Sequence, residues 1–169
     1  PSADIADAAE KAVKARIQNT GQSCICGKRM IVHGEVYDDF MEQFRAGMKA
    51  VTWGDPFDDN TDMGPLSSFD QRDTVLEQLE KVRQTDATVE FGGEAVGENG
   101  AFMDAGIISG MTTENPLMEE ELFGPVAMVF KAKDADDAIR IANASPYGLG
   151  SAVFTKDEDE QQRFTNEIE

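Results

Sequence analysis

Cysteine and histidine are scarce in this chain. Cys24 and Cys26 are its only cysteines, and His33 is its only histidine. A secreted scaffold held by disulfides carries more cysteines at wider spacing, and a structural zinc site needs four ligands. The sequence therefore predicts no metal site and two reduced thiols, as expected for a cytoplasmic protein.

Basic side chains are also few. The chain has 15 Lys and Arg residues against 33 Asp and Glu residues, which gives a formal net charge of −18. A surface of this sign repels phosphate backbones and anionic lipid headgroups. We therefore expect neither nucleic acid nor a membrane as a partner.

Long apolar runs are missing as well, although hydrophobic residues make up 40% of the chain. No segment approaches the roughly 20 apolar residues that a membrane-spanning helix needs. The length of 169 residues is that of one globular domain with its own core.

Helical and strand periodicities alternate along the chain. Apolar residues spaced by three and four predict helices at residues 3–17, 36–51 and 75–82. Short apolar or alternating runs predict strands at residues 29–32, 88–91, 125–130 and 152–154, with another within 101–108. Alternating strands and helices predict an α/β domain, with a largely parallel sheet flanked by helices.

Cys24 lies between a predicted helix and a predicted strand, directly after Gly21-Gln22-Ser23. A thiol in such a loop is accessible to substrate, and the glycine lets backbone amides approach a reacting oxygen. A small buried apolar side chain is the other interpretation of a lone cysteine, and the spacing leaves both open. A cysteine hydrolase is disfavoured because it needs a histidine base, and His33 ends a strand that leads away from Cys24.

Four segments, in this order, resemble signatures of the aldehyde dehydrogenase superfamily. They are residues 19–24, the loop at 54–56 with 62–66, residues 120–126, and residues 142–143 with 147–149. Together they span almost the whole chain. Within the superfamily, residues 18–22 and 69–73 resemble bacterial succinate-semialdehyde dehydrogenases. In one branch of that group, a cysteine at the position of Cys26 forms a redox-switching disulfide with the nucleophile.

The resemblance implies the catalytic domain of the aldehyde dehydrogenase fold and an oxidation that uses NAD or NADP. The expected substrate is succinate semialdehyde, which becomes the carboxylic acid through a thiohemiacetal and a thioester on Cys24. Glu121 would bind the nicotinamide ribose, and Phe123 would pack beside the nicotinamide ring. Asn143 and Leu149 would have structural roles near the site. The complete enzyme would be a homo-oligomer.

By the same resemblance, residues 1–169 form a single catalytic domain. The dinucleotide-binding domain, an oxyanion-binding asparagine and a glutamate base would precede the helix that leads to Cys24, outside this chain. We therefore expect the chain alone to be inactive towards aldehydes. The alternative is an inactive truncated or non-catalytic domain of the same fold.

Overall fold

The computed structural model describes all 169 residues, Pro1–Glu169. It contains five α-helices and six β-strands, with short 3-10 turns at Gln18–Gly21 and Gly34–Val36. In chain order the elements are α1 (Ile5–Ile17), β1 (Arg29–His33), α2 (Tyr37–Ala50), α3 (Phe69–Val82), β2 (Thr88–Phe91), β3 (Ala95–Val96), β4 (Phe102–Met103), β5 (Gly106–Met111), β6 (Val126–Ala132), α4 (Ala135–Asn143) and α5 (Glu158–Glu167). None of the helices is both long and apolar enough to cross a membrane.

Four of the strands form the main sheet, in the order β1-β6-β5-β2. Strands β1 and β5 both pair with β6 in parallel, and β2 pairs with β5 antiparallel. The two short strands β3 and β4 form a separate antiparallel pair. The predicted α/β class with a largely parallel sheet is therefore confirmed.

Strand β6 is the central parallel strand, and it is buried along its length except at Lys131. Successive side chains of a strand point to opposite faces of the sheet. Accordingly Val126, Met128 and Phe130 join the apolar cluster that contains α3, whereas Ala127 and Val129 join the cluster that contains α1 and α2. The nearly continuous apolar run in the sequence is explained by this two-sided burial.

Two predicted strands differ from the structure. Residues 152–154 are exposed and form no strand, so that prediction is wrong. Their alternation fits a strand, but a strand needs a neighbour to complete its hydrogen bonds, and no strand pairs with this segment. The strand predicted within 101–108 is divided between β4 and β5, which belong to different sheets and are separated by residues 104–105.

An ion pair connects α2 to β2, the antiparallel edge strand of the main sheet. Arg45 donates from Nη2 to Glu90 Oε1 at 2.7 Å and from Nε to the other carboxylate oxygen. These hydrogen bonds hold the pKa of Glu90 below its ordinary value, against the opposing effect of burial. The pKa of Glu90 is therefore lower in the folded chain than in the unfolded chain, and the ion pair stabilises the fold at pH values above the unfolded pKa. This stabilisation is lost as the pH falls through the folded pKa.

We therefore expect Glu90→Gln to lower the free energy of unfolding at pH 7 by about 0.5–1 kcal/mol, allowing for solvent screening at the partly exposed Arg45. Urea denaturation should show this loss shrinking as pH falls below about 4, where the carboxylate is protonated in the unfolded chain. Glu80→Gln removes an exposed carboxylate that pairs with Arg83 at 3.4 Å, and it should change little at either pH. An equal loss for Glu90→Gln at both pH values would contradict the assignment.

Candidate active site

The loop that carries Cys24 begins with an unusual backbone. After α1 ends at Ile17, three consecutive residues are left-handed, with φ of 49° at Asn19, 54° at Thr20 and 74° at Gly21. This conformation costs a non-glycine residue roughly 1–2 kcal/mol, and a β-branched threonine is a rare occupant. Thr20 is held there by its hydroxyl, which donates to the Gly64 carbonyl at 3.1 Å. The direction of the loop that carries Cys24 is thus set by a strained backbone at Asn19 and Thr20.

Gly21 brings this loop into backbone contact with the segment before β6. A Cβ at Gly21 would lie 2.2 Å from the Gly124 carbonyl oxygen, far inside van der Waals contact. Its φ is positive as well, so both the space and the conformation require glycine. The signature that contains Cys24 and the one that contains Gly124 therefore meet through their main chains.

Arg16 lies beneath this contact, in the last turn of α1, and is fully buried. Its Nη2 donates to the carbonyls of Gly21 at 2.8 Å and Leu122 at 2.9 Å, and also to Gly124. Its Nη1 donates to the Gly27 carbonyl at 3.2 Å. Burial lowers the pKa of Arg16 to about 10, which leaves it protonated at neutral pH. One cation thus ties both ends of the cysteine loop to the segment before β6.

The two thiols of the loop have different environments. Cys24 is exposed, whereas Cys26 is 5% exposed and donates from Sγ to the Gln18 carbonyl at 3.0 Å. Both are free. Cys24 is thus the accessible thiol, and Cys26 anchors the loop to the end of α1. A disulfide between them would require Cys26 to leave this hydrogen bond and its buried position.

A single lysine contacts all three predicted site residues. Lys28 donates from Nζ to the Cys24 carbonyl at 3.0 Å and lies 3.3 Å from Glu121 Oε1. The same nitrogen is 4.9 Å from the centre of the Phe123 ring. The structure therefore brings Cys24, Glu121 and Phe123 together around one ammonium group. The sequence analysis did not single out Lys28, because nothing in the pattern distinguishes it from a surface lysine.

Helix α3 supports Glu121 and Phe123 from the other side. Gln71 donates from Nε2 to the Phe123 carbonyl at 3.0 Å, and Gln78 donates to the Glu121 carbonyl at 3.2 Å. Gln78 also donates to the carboxylate of Glu120 at 3.0 Å. The main chain on both sides of Leu122 is therefore fixed by two amide side chains that lie about two turns apart on the same face of α3.

An open groove of about 450 Å³ lies beside the Phe123 ring. Its walls are mostly amide and hydroxyl groups, and its lining residues are Asn19, Gln22, Pro65, Ser67, Gln71 and Phe123. Gln22 holds one wall in place by accepting the Ser67 amide proton at 2.8 Å. Such a lining can exchange hydrogen bonds with a ligand that carries hydroxyl groups.

The remaining predicted residues lie in other surroundings. The Asn143 side chain donates to the Glu167 carbonyl at 2.7 Å and accepts from the Glu169 amide at 3.1 Å, so it joins α4 to the C-terminal residues. Leu149 is 62% exposed. His33 accepts from the Glu35 amide at 3.2 Å and caps the turn after β1. No group of three or more His, Cys, Asp or Glu side chains is arranged to hold a metal ion.

Comparison with known sequences and structures gives a consistent result. The sequence model described as the aldehyde dehydrogenase family matches residues 1–169. The chain is 45% identical over 168 residues to succinate-semialdehyde dehydrogenase (NADP(+)) 1 of Mycobacterium tuberculosis, covering 99% of this chain and 37% of that protein. It is 46% identical over 169 residues to succinate-semialdehyde dehydrogenase (NADP(+)) of Mycobacterium avium, covering 100% of this chain and 36% of that protein.

Solved structures of aldehyde dehydrogenases also superpose on this chain. Succinic semialdehyde dehydrogenase from Streptococcus pyogenes, in complex with NADP+, superposes with a TM-score of 0.92 at 37% identity, covering 99% of this chain and 37% of that one. NAD-dependent aldehyde dehydrogenase from Sinorhizobium meliloti superposes with a TM-score of 0.96 at 29% identity, covering 99% of this chain and 34% of that one. The chain thus spans little more than a third of the length of these relatives.

Proposed function

Because this chain belongs to the aldehyde dehydrogenase family, we propose that it forms the thiol-bearing catalytic domain of an enzyme that oxidises an aldehyde with NAD or NADP. The observation that carries the proposal is the exposed Cys24 thiol, whose loop shares the Lys28 ammonium with Glu121 and Phe123. An accessible thiol on a loop that one ammonium group joins to a carboxylate and an aromatic ring suits a nucleophile that works next to a bound cofactor.

Cys24 begins the proposed reaction. Its thiolate adds to the carbonyl carbon of the aldehyde, so that a carbon–sulfur bond forms and the oxygen becomes an alkoxide. The backbone N–H of Cys24 makes no hydrogen bond within the chain and is free to donate to that alkoxide. Water finally replaces sulfur on the oxidised carbon, which releases the carboxylic acid and restores the thiol.

Glu121 and Phe123 are the residues that would hold the nicotinamide end of the cofactor. Glu121 directs Oε1 towards Lys28, while its second carboxylate oxygen has no hydrogen-bond partner in the chain and can accept from a ribose hydroxyl. The half-buried ring of Phe123 borders the amide-lined groove, which fits a hydroxyl-rich ligand. When bound, the cofactor supplies the hydride acceptor that the oxidation requires.

The remaining groups of the reaction are proposed to come from residues outside these 169. They are the dinucleotide-binding domain, an oxyanion-binding asparagine and a glutamate base, as implied by the sequence resemblance. The proposal treats residues 1–169 as a single domain of a larger active site. It is supported by the share of the relatives' length that the chain covers.

Succinate semialdehyde is the proposed substrate, since the names of the mycobacterial relatives state it. The test uses the product of the complete reading frame that contains these residues, called here the full-length protein. With NADP+ or NAD+, its kcat/KM for succinate semialdehyde should exceed that for butanal, which lacks the carboxylate, by about tenfold or more. Equal values would refute the substrate, and turnover of neither aldehyde with either cofactor would refute the function.

A further inference from the structure

Lys28 is less exposed than most lysines are. Its side chain is only 10% exposed, although it lies directly before β1 and next to the exposed cysteine loop. Lysine side chains are almost never buried unless they are paired, and ordering one costs rotamer freedom. The position therefore needs contacts that compensate for both costs.

The ammonium group of Lys28 contacts two carbonyls, one carboxylate and one aromatic ring. Nζ donates to the carbonyls of Ser23 at 3.2 Å and Cys24 at 3.0 Å, and it pairs with Glu121 Oε1 at 3.3 Å. The Phe123 ring lies at a distance where a cation is attracted to an aromatic face. These contacts compensate for the low exposure of the ammonium group.

The acceptors belong to two segments that are about a hundred positions apart in the sequence. Ser23 and Cys24 belong to the cysteine loop, whereas Glu121 and Phe123 belong to the segment before β6. Arg16 also joins these segments, but it reaches only main-chain carbonyls. Lys28 is the residue that contacts both the carboxylate and the ring.

We propose that Lys28 is a positioning residue that holds the Cys24 loop and the Glu121–Phe123 pair at one fixed spacing. This proposal rests on the function proposed above, in which Cys24 attacks the aldehyde and Glu121 and Phe123 face the nicotinamide. Reaction rates depend steeply on such spacing, and a misplacement of about 1 Å costs up to about a hundredfold. Arg16 stabilises the contact of the two main chains, and Lys28 adds contacts with the side chains of Glu121 and Phe123.

The test compares Lys28→Met, which keeps the apolar stem, with Lys28→Arg, which keeps the charge. Lys131→Met is the matched control, since Lys131 also lies over an aromatic ring, Tyr37 at 4.8 Å, but on an exposed part of β6. In the full-length protein, Lys28→Met should lower kcat about tenfold to a hundredfold, with little change in the KM for aldehyde. Lys28→Arg should restore most of that loss, and Lys131→Met should behave as the unmodified protein.

Hydrogen–deuterium exchange gives a second measurement that does not depend on turnover. Lys28→Met should speed amide exchange in residues 21–27 and 120–124 together, because both lose the same partner. Faster exchange in only one segment, or an unchanged kcat, would refute the proposal. If the unmodified protein turned over no aldehyde, the proposed function would fail, and the exchange result would still decide whether Lys28 joins the two segments.

Discussion

Replacing Arg16 with methionine is expected to lower the free energy of unfolding by about 2–4 kcal/mol. The guanidinium donates to four main-chain carbonyls while fully buried. Without it, several of these oxygens stay buried and unpaired, and each such group costs about 1–3 kcal/mol. Two effects offset part of that cost. Methionine removes a buried charge, and it removes Nε, which has no partner in the folded chain.

Because these effects oppose each other, Arg16→Met tests whether the hydrogen bonds to the carbonyls outweigh the cost of burying the charge. A buried ion pair can often be replaced by apolar residues without loss, because both charges are removed together. Here the partners are backbone carbonyls that no side-chain replacement removes, so the loss should remain. Lys14→Met is the control, since Lys14 is exposed on the same helix and pairs only with Glu10.

Urea denaturation, monitored by circular dichroism, measures the free energy of unfolding of both variants. Trp53, the only tryptophan, is an independent fluorescent probe. Arg16→Lys should also lose stability, because one ammonium cannot span the carbonyls that the two Nη atoms reach. A midpoint for Arg16→Met equal to that of Lys14→Met would show that the carbonyls find other donors.

The fold was largely predictable because its main signals are local. Helix α2 was expected at residues 36–51 and is observed at Tyr37–Ala50, since its apolar residues recur at helical spacing. The apolar run of β6 predicted a strand covered on both faces, and the sheet confirms it. The predicted membership of the aldehyde dehydrogenase family is also confirmed.

The candidate site was predictable only in part, for a physical reason. Cys24, Glu121 and Phe123 were identified by resemblance, and the structure places all three around Lys28. Lys28 and Arg16 were missed because their partners lie up to 108 positions away along the chain. A charged residue with distant partners has the same local pattern as a solvated one, and only the packed chain distinguishes them.

Replacing Cys24 with serine is expected to lower kcat/KM of the full-length protein by at least about a thousandfold, since a hydroxyl is a far weaker nucleophile than a thiolate. The substitution replaces one exposed sulfur, which has no hydrogen-bond partner in the chain, with an oxygen, so the melting temperature should not change. A loss of rate without a loss of stability would identify Cys24 as the reacting group.

Cys26→Ser is the matched control, because it makes the same chemical change two residues away. Serine can still donate to the Gln18 carbonyl, as the Cys26 thiol does, so the loop should keep its anchor. Activity should stay within about threefold of the unmodified protein, because the loop that carries Cys24 keeps its position. If Cys26→Ser were the inactive variant and Cys24→Ser the active one, the nucleophile would have been assigned to the wrong thiol. The buried position of Cys26 argues against that outcome, since a substrate carbonyl can approach only an exposed sulfur.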